Sequence, residues 1–160
     1  MEYSITINKK EMLDALHGET AYISAKLIDQ DKDSYKRIAT TEVDEDYLLN
    51  CVYESYADIL STLKQYSPSV EHDFLDVTLT LNVPSNFDIG QEYGLLEDTK
   101  NYFVHYTLYK WFSLTNKQDA ENQLQTAIKY LSAIKVLCTA RVSPTCEETN
   151  NLNYKKFFYE

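Results

Sequence analysis

From Val104 to Arg141 the chain reads "VHYTLYKWFSLTNKQDAENQLQTAIKYLSAIKVLCTAR", with no glycine, no proline and a single turn signal. A stretch this long without a breaker is expected to be helical, and the turn signal divides it into a helical hairpin. The first arm is predicted from about Leu95 to Leu114. Its apolar residues, among them Tyr102, Phe103, Val104, Leu108 and Phe112, circle most of the cylinder, so it should be buried on more than one side. The second arm is predicted to start with Asn116 as N-cap and Asp119 in its first turn. Ala120, Leu124, Ala127, Ile128, Leu131, Ile134 and Cys138 then trace a narrower stripe to about Arg141. The short joint makes the two arms antiparallel neighbours.

The N-terminal half mixes periods. "YSITI" alternates Tyr3, Ile5 and Ile7 with Ser4 and Thr6, a short strand pattern. Asn8 with Glu11 suits a capping box for a helix from Lys9 to about His17. Gly18 interrupts it, and "ETAYISAKLI" is either a second helix or a bent continuation. "DQDKDSYKRIATTEVDED" (Asp29–Asp46) reads as a charged surface loop with at most a helical turn near Tyr35. Asp44 is the expected N-cap of the next helix, with Val43 and Leu48 as its hydrophobic staple. Leu49, Val52, Tyr53, Tyr56, Leu60 and Leu63 give that helix an apolar face, and Pro68 ends it. "FLDVTLTLNVP" (Phe74–Pro84) then alternates Leu75, Val77, Leu79, Leu81 and Val83 with polar residues, the clearest strand in the chain. Its partner is either the N-terminal strand or a strand of a neighbouring subunit.

The expected fold class is therefore mainly α: a helical bundle with a long C-terminal hairpin and a small β element. The 160 residues fit one domain over 1–144 with an extension over 145–160. That extension is polar and then abruptly aromatic at Tyr154, Phe157, Phe158 and Tyr159, which calls for a docking site on this chain or another. Fourteen tyrosines against three glycines and three prolines suit half-wet surfaces, since a tyrosine brings contact area and a polar tip together.

Charge excludes one class of function. At a formal charge of −10 the chain is not expected to wrap a polyanion, because phosphate-backbone affinity comes from clustered cations. Three cysteines, Cys51, Cys138 and Cys146, form no C-x-x-C pair and suit buried thiols in a reducing compartment. "MEYSITINKK" lacks the apolar core of a signal peptide, and no apolar run approaches a membrane span.

Catalytic constellations are equally scarce. There is no phosphate loop, dinucleotide fingerprint or nucleophile elbow. Glu71, His72 and Asp73 are adjacent, so in an extended segment they point to opposite faces and cannot converge on one metal ion. His105 reads as a hydrogen-bonded helix residue and His17 as a helix-end residue. Cys51 is expected to be a buried structural thiol, with no neighbouring cation to activate it. Asp44, Glu45 and Asp46 cluster at a helix start, where capping and the helix dipole account for them. No enzyme activity, cofactor or metal is expected.

Two segments carry a resemblance. "VDEDYLLNCVYESYADILSTL" is similar to the helix that opens many head–tail connector proteins of tailed phages. "HYTLYKWFSLTNKQDAENQLQTAIKYLSAIKVLCTARVSP" resembles the closing hairpin of neck and tail-completion proteins from phages and prophages of Bacteroidetes-type hosts. Together they cover Val43–Lys64 and Tyr102–Pro144. The resemblance implies a virion structural protein of the neck or tail region that forms a ring, commonly a dodecamer, between the portal protein and the tail. Its implied work is to dock the tail and extend the channel through which DNA passes without specific binding. On that reading Leu75, Val77, Leu79, Leu81 and Val83, with Tyr154, Phe157, Phe158 and Tyr159, are the expected subunit interface. Asp29, Asp31, Asp33, Asp44, Glu45 and Asp46 are the expected acidic channel or surface residues. The alternative is a small acidic module that binds a host protein, such as a phage-encoded inhibitor.

Overall fold

A computed structural model describes residues 1–27 and 32–142. The fold is mainly α with one small antiparallel sheet. β1 (Glu2–Asn8) leads directly into α1 (Lys9–Lys26). The Asn8 side chain accepts from the backbone N–H of Lys10 at 3.0 Å and of Glu11 at 3.4 Å, so it caps α1 as expected. The helix does not stop at His17. Met12, Leu13, Leu16, Thr20 and Ser24 stay buried through Gly18 at three- and four-residue steps. Gly18 itself is exposed, and its cost of about 1 kcal/mol relative to alanine is too small to break a helix held by that face.

From Ser34 to Asp46 the charged segment is more tightly held than a solvated loop. It contains α2 (Ser34–Ile38), whose Ile38 is wholly buried. Trp111 Nε1 donates to the Ile38 carbonyl at 2.7 Å, and Ser34 Oγ donates to the Ser24 carbonyl at 2.9 Å. Asp44 occupies the N-cap position of the next helix, but its side chain accepts from no backbone N–H of that helix. It closes a preceding 3-10 turn, where its carboxylate accepts from the Thr41 N–H at 2.8 Å, while Val43 is 90% exposed and staples nothing. α3 (Glu45–Thr62) then buries Leu48, Cys51, Val52, Ser55 and Ile59. Its expected face is thus displaced by about one residue. The tyrosines Tyr53 and Tyr56 sit half-buried at its margin; the Tyr53 hydroxyl accepts from Lys9, whereas that of Tyr56 is buried without a hydrogen-bond partner.

After Pro68 comes a strand that periodicity did not reveal, β2 (Ser69–His72), then β3 (Asp76–Asn82). The strand order is β1-β3-β2, both pairings antiparallel. Helices cover one face, against which Ile5, Ile7, Val77, Leu79 and Leu81 are buried. The other face is polar: Ser4 Oγ meets Thr80 Oγ1 at 3.0 Å and Thr6 Oγ1 meets Thr78 Oγ1 at 3.3 Å.

This topology corrects the expectation for the Leu75–Val83 strand. β3 is the central strand, so both of its edges are already paired within the chain. Val77, Leu79 and Leu81 are fully buried and Val83 is 2% exposed. These four side chains belong to the chain's own core and are not a subunit interface. Leu75 lies outside the strand and is 60% exposed.

α4 (Glu92–Thr115) and α5 (Lys117–Leu137) form the hairpin. Tyr102, Phe103 and Val104 are consecutive and all buried, as a helix enclosed on more than one side requires. In α5 the buried residues are Ala120, Ala127 and Ile134, spaced by sevens, with Cys138 after them; Ile128 is largely exposed. The two alanines let the arms approach closely along a coiled-coil-like seam. Asn116 occupies the N-cap position, but its side chain donates to the Asp119 carboxylate at 2.6 Å instead of capping a backbone N–H.

Candidate interaction surface

The α1 start, the α3 start and the turn from β2 to β3 converge on one groove of about 630 Å³. Lys9 sits at its base. It is 7% exposed, and its ammonium donates to Tyr53 Oη at 3.0 Å and to the Asp73 carbonyl. A buried ammonium needs such partners, because an unpaired one would stay charged only at a large desolvation cost. Asp73 shapes the turn: its Oδ1 accepts from the Leu75 and Asp76 N–H groups, each at 2.7 Å. The bonds from Asp76 first and Leu75 second hold this carboxyl below its usual pKa.

The turn leaves two apolar side chains in water. Phe74 is 92% exposed and Leu75 60%, and both border the groove. Facing them, Asp14, Glu42, Glu45 and Asp46 line the wall. His17 joins α1 to this wall: Nδ1 is 2.7 Å from Thr40 Oγ1 and Nε2 is 3.4 Å from Glu45 Oε1. His17 is therefore an inter-element tie in the middle of α1, not a helix-end residue.

Of the expected acidic residues, Glu45 and Asp46 are brought together here. Asp44 faces Thr41, and Asp33 lies at the start of α2. Asp29 and Asp31 fall outside the described residues, as do Tyr154, Phe157, Phe158, Tyr159 and Cys146. Asp14, Glu42 and Phe74 were missed: Glu42 and Phe74 lie close to expected residues in sequence, but only the fold brings the three segments to one groove.

A second feature is the sheet edge. Met1 and Val83 exchange hydrogen bonds, ammonium to carbonyl at 2.7 Å and N–H to carbonyl at 2.9 Å. Alternation along an antiparallel pair then turns the backbone groups of Tyr3, Ile5 and Ile7 toward β3, and those of Ser4 and Thr6 outward. Among the described residues no strand pairs with that outer side. An open edge of this length is a template for another strand.

Groups with chemical potential are placed structurally. Burial raises the Cys51 thiol, and raises Cys138 to about 11, so neither is an activated nucleophile. His72 stacks on Tyr53 with ring centroids 4.2 Å apart, and His105 Nδ1 is 2.6 Å from Gln123 Oε1. Among the described residues no group of His, Cys, Asp and Glu is arranged to hold a metal ion, and no helix is long and apolar enough to cross a membrane. No family model, curated protein or solved structure matches this chain.

Proposed function

We propose that this chain is a non-enzymatic virion structural protein that assembles head-to-tail into a ring at the portal–tail junction. In that role it docks the tail and extends the DNA exit channel. The observation that carries the proposal is the open outer edge of β1, with the backbone groups of Ser4 and Thr6 unpaired among the described residues. A closed ring requires two different contact patches on each subunit. β1 and β2 are the two different edges of one sheet, so pairing β1 of one subunit with β2 of the next would repeat around a ring. The interface is thereby moved from the central strand to the edges.

Two sequence properties add support. The resemblance of Val43–Lys64 and Tyr102–Pro144 to phage connector segments implies a dodecamer between the portal protein and the neck or tail proteins. The net charge of −10 suits a wall past which DNA moves without sticking. The protein would reside in the virion, reaching it from the host cytoplasm during assembly. A second reading, an acidic module that captures a basic host protein, is favoured by the groove that joins Asp14, Glu42, Glu45 and Asp46 to exposed Phe74 and Leu75.

Native mass spectrometry over a concentration series, with and without portal and tail proteins, separates the two. A discrete ring, alone or on the portal, is the expected result. A chain that stays monomeric in every mixture yet binds a basic host protein would transfer the function to the second reading.

A further inference from the structure

The groove at the Leu75 end of β3 has an exposed apolar lip that the fold itself leaves uncovered. Phe74 and Leu75 have no core role at 92% and 60% exposure, and burying them would remove apolar surface from water. The opposing wall is net acidic, with Asp14, Glu42, Glu45 and Asp46 against Lys10, the Lys9 ammonium being held by Tyr53 and the Asp73 carbonyl. An occupant must therefore bring cations and aromatic or aliphatic side chains within a few residues of each other. Segments such as Tyr109–Phe112 and Lys129–Leu131 meet this but are built into α4 and α5, whereas "NYKKFFYE" pairs two cations, Lys155 and Lys156, with Phe157, Phe158 and Tyr159 directly after them. Lys9–Lys10 and Lys36–Arg37 have no adjacent aromatic pair. In an extended peptide Lys155 and Phe157 share one face, as do Lys156 and Phe158, so either face offers one cation and one ring.

We propose that the acidic groove is the receptor for the chain's own Lys155–Tyr159 segment, with the lysines on the carboxylates and the phenylalanines on Phe74 and Leu75. The reach allows it. Val142 is tied to Asn86 by a 3.0 Å hydrogen bond, near the Val83 end of β3. Lys155 follows it by 13 residues, enough for up to about 43 Å of extended chain. The seven residues of β3 span about 23 Å. The segment starts at the opposite end of the sheet from the groove, so it can reach the groove of its own chain or of an adjoining copy. Docking of this kind does not depend on the ring. Between chains it would give a ring a second head-to-tail contact, and within one chain it would cap the groove instead.

The test uses the full chain with Cys146→Ser and an Asn153→Cys reporter, combined with either Lys10→Cys on the groove wall or Val136→Cys. Val136 is 67% exposed and much closer in sequence to the segment's origin, so undirected collisions would favour it. A short bismaleimide should join position 153 to position 10 at a yield about tenfold above that to position 136, and Lys155→Glu with Lys156→Glu should lower the yield at position 10 about tenfold. Mass analysis distinguishes links within a chain from links between chains. Both kinds support the groove as receptor, and only the second also supports the ring. Equal or greater linking at position 136, or a yield unmoved by charge reversal in protein with unchanged circular dichroism, would overturn the inference.

Discussion

The two ends of β3 are built from similar material and finished differently. At the Val83 end Met1 pairs with Val83, Phe87 bridges to Arg141, and the Tyr3 and Phe87 rings sit 5.4 Å apart. Val83 and Phe87 are each 2% exposed there. At the Leu75 end the turn is well hydrogen-bonded through Asp73, yet Phe74 and Leu75 stand in water. Intramolecular packing among the described residues covers Val83 and Phe87 at the first end, though the Tyr3 hydroxyl is buried there without a hydrogen-bond partner. The second end has backbone order without side-chain cover, the combination expected where a surface is prepared for another chain segment.

Substitutions can break that contrast. Leu79→Ala, in the fully buried middle of β3, removes core volume beneath both ends. It should cost about 2–5 kcal/mol of stability, read from the urea midpoint. Lys9→Ala takes the buried donor away from Tyr53 and the Asp73 carbonyl, with an expected loss of about 1–3 kcal/mol by the same assay. A loss confined to the Leu75 end, seen as faster amide exchange at Leu75 and Asp76, would sharpen the distinction between the ends.

Asp73→Asn tests the turn through pH. The carboxyl has a folded-state pKa below its usual 3.8. It therefore contributes stability that is fully present above the unfolded value and is lost as pH falls through the lower folded value. The wild-type chain should lose stability on acidification below about pH 4, and the asparagine variant should lose less over the same interval. The smallest effect is expected from Phe74→Ser with Leu75→Ser, within about 0.5 kcal/mol of wild type, because both side chains are exposed and neither belongs to the core of the described residues. A large destabilisation there would mean that the lip is part of the core after all.

Periodicity exposed those parts of the molecule whose patterns are long. The alternation from Leu75 to Val83 identified β3 and its buried face, and the breaker-free run from Val104 identified the hairpin. It did not show that β3 is central, because β2 has four residues and a single apolar one, Val70, too short to alternate. Asp44 stands at the N-cap position read from the sequence, but Thr41 three residues earlier captures its carboxylate, so its side chain caps no N–H of α3. Gly18 looked like a breaker because propensity is local, whereas the buried face of α1 extends past it on both sides. Of the candidate surface, Glu45, Asp46 and Leu75 were legible by type. Phe74 beside Leu75 and Glu42 three residues before Glu45 are near in sequence, but the meeting of the α1, α3 and β2–β3 segments, which adds Asp14, comes only from their packing, for which no sequence spacing exists.

Residue-resolved hydrogen exchange on the full chain, followed as concentration rises through assembly, is the most direct measurement. With β1 pairing across a subunit contact, the outward amides of Ser4 and Thr6 should gain protection as the ring forms, while Ile5 and Ile7, already bonded to β3, stay unchanged. Ser4 and Thr6 exchanging at unprotected rates in assembled material would contradict the edge-paired ring.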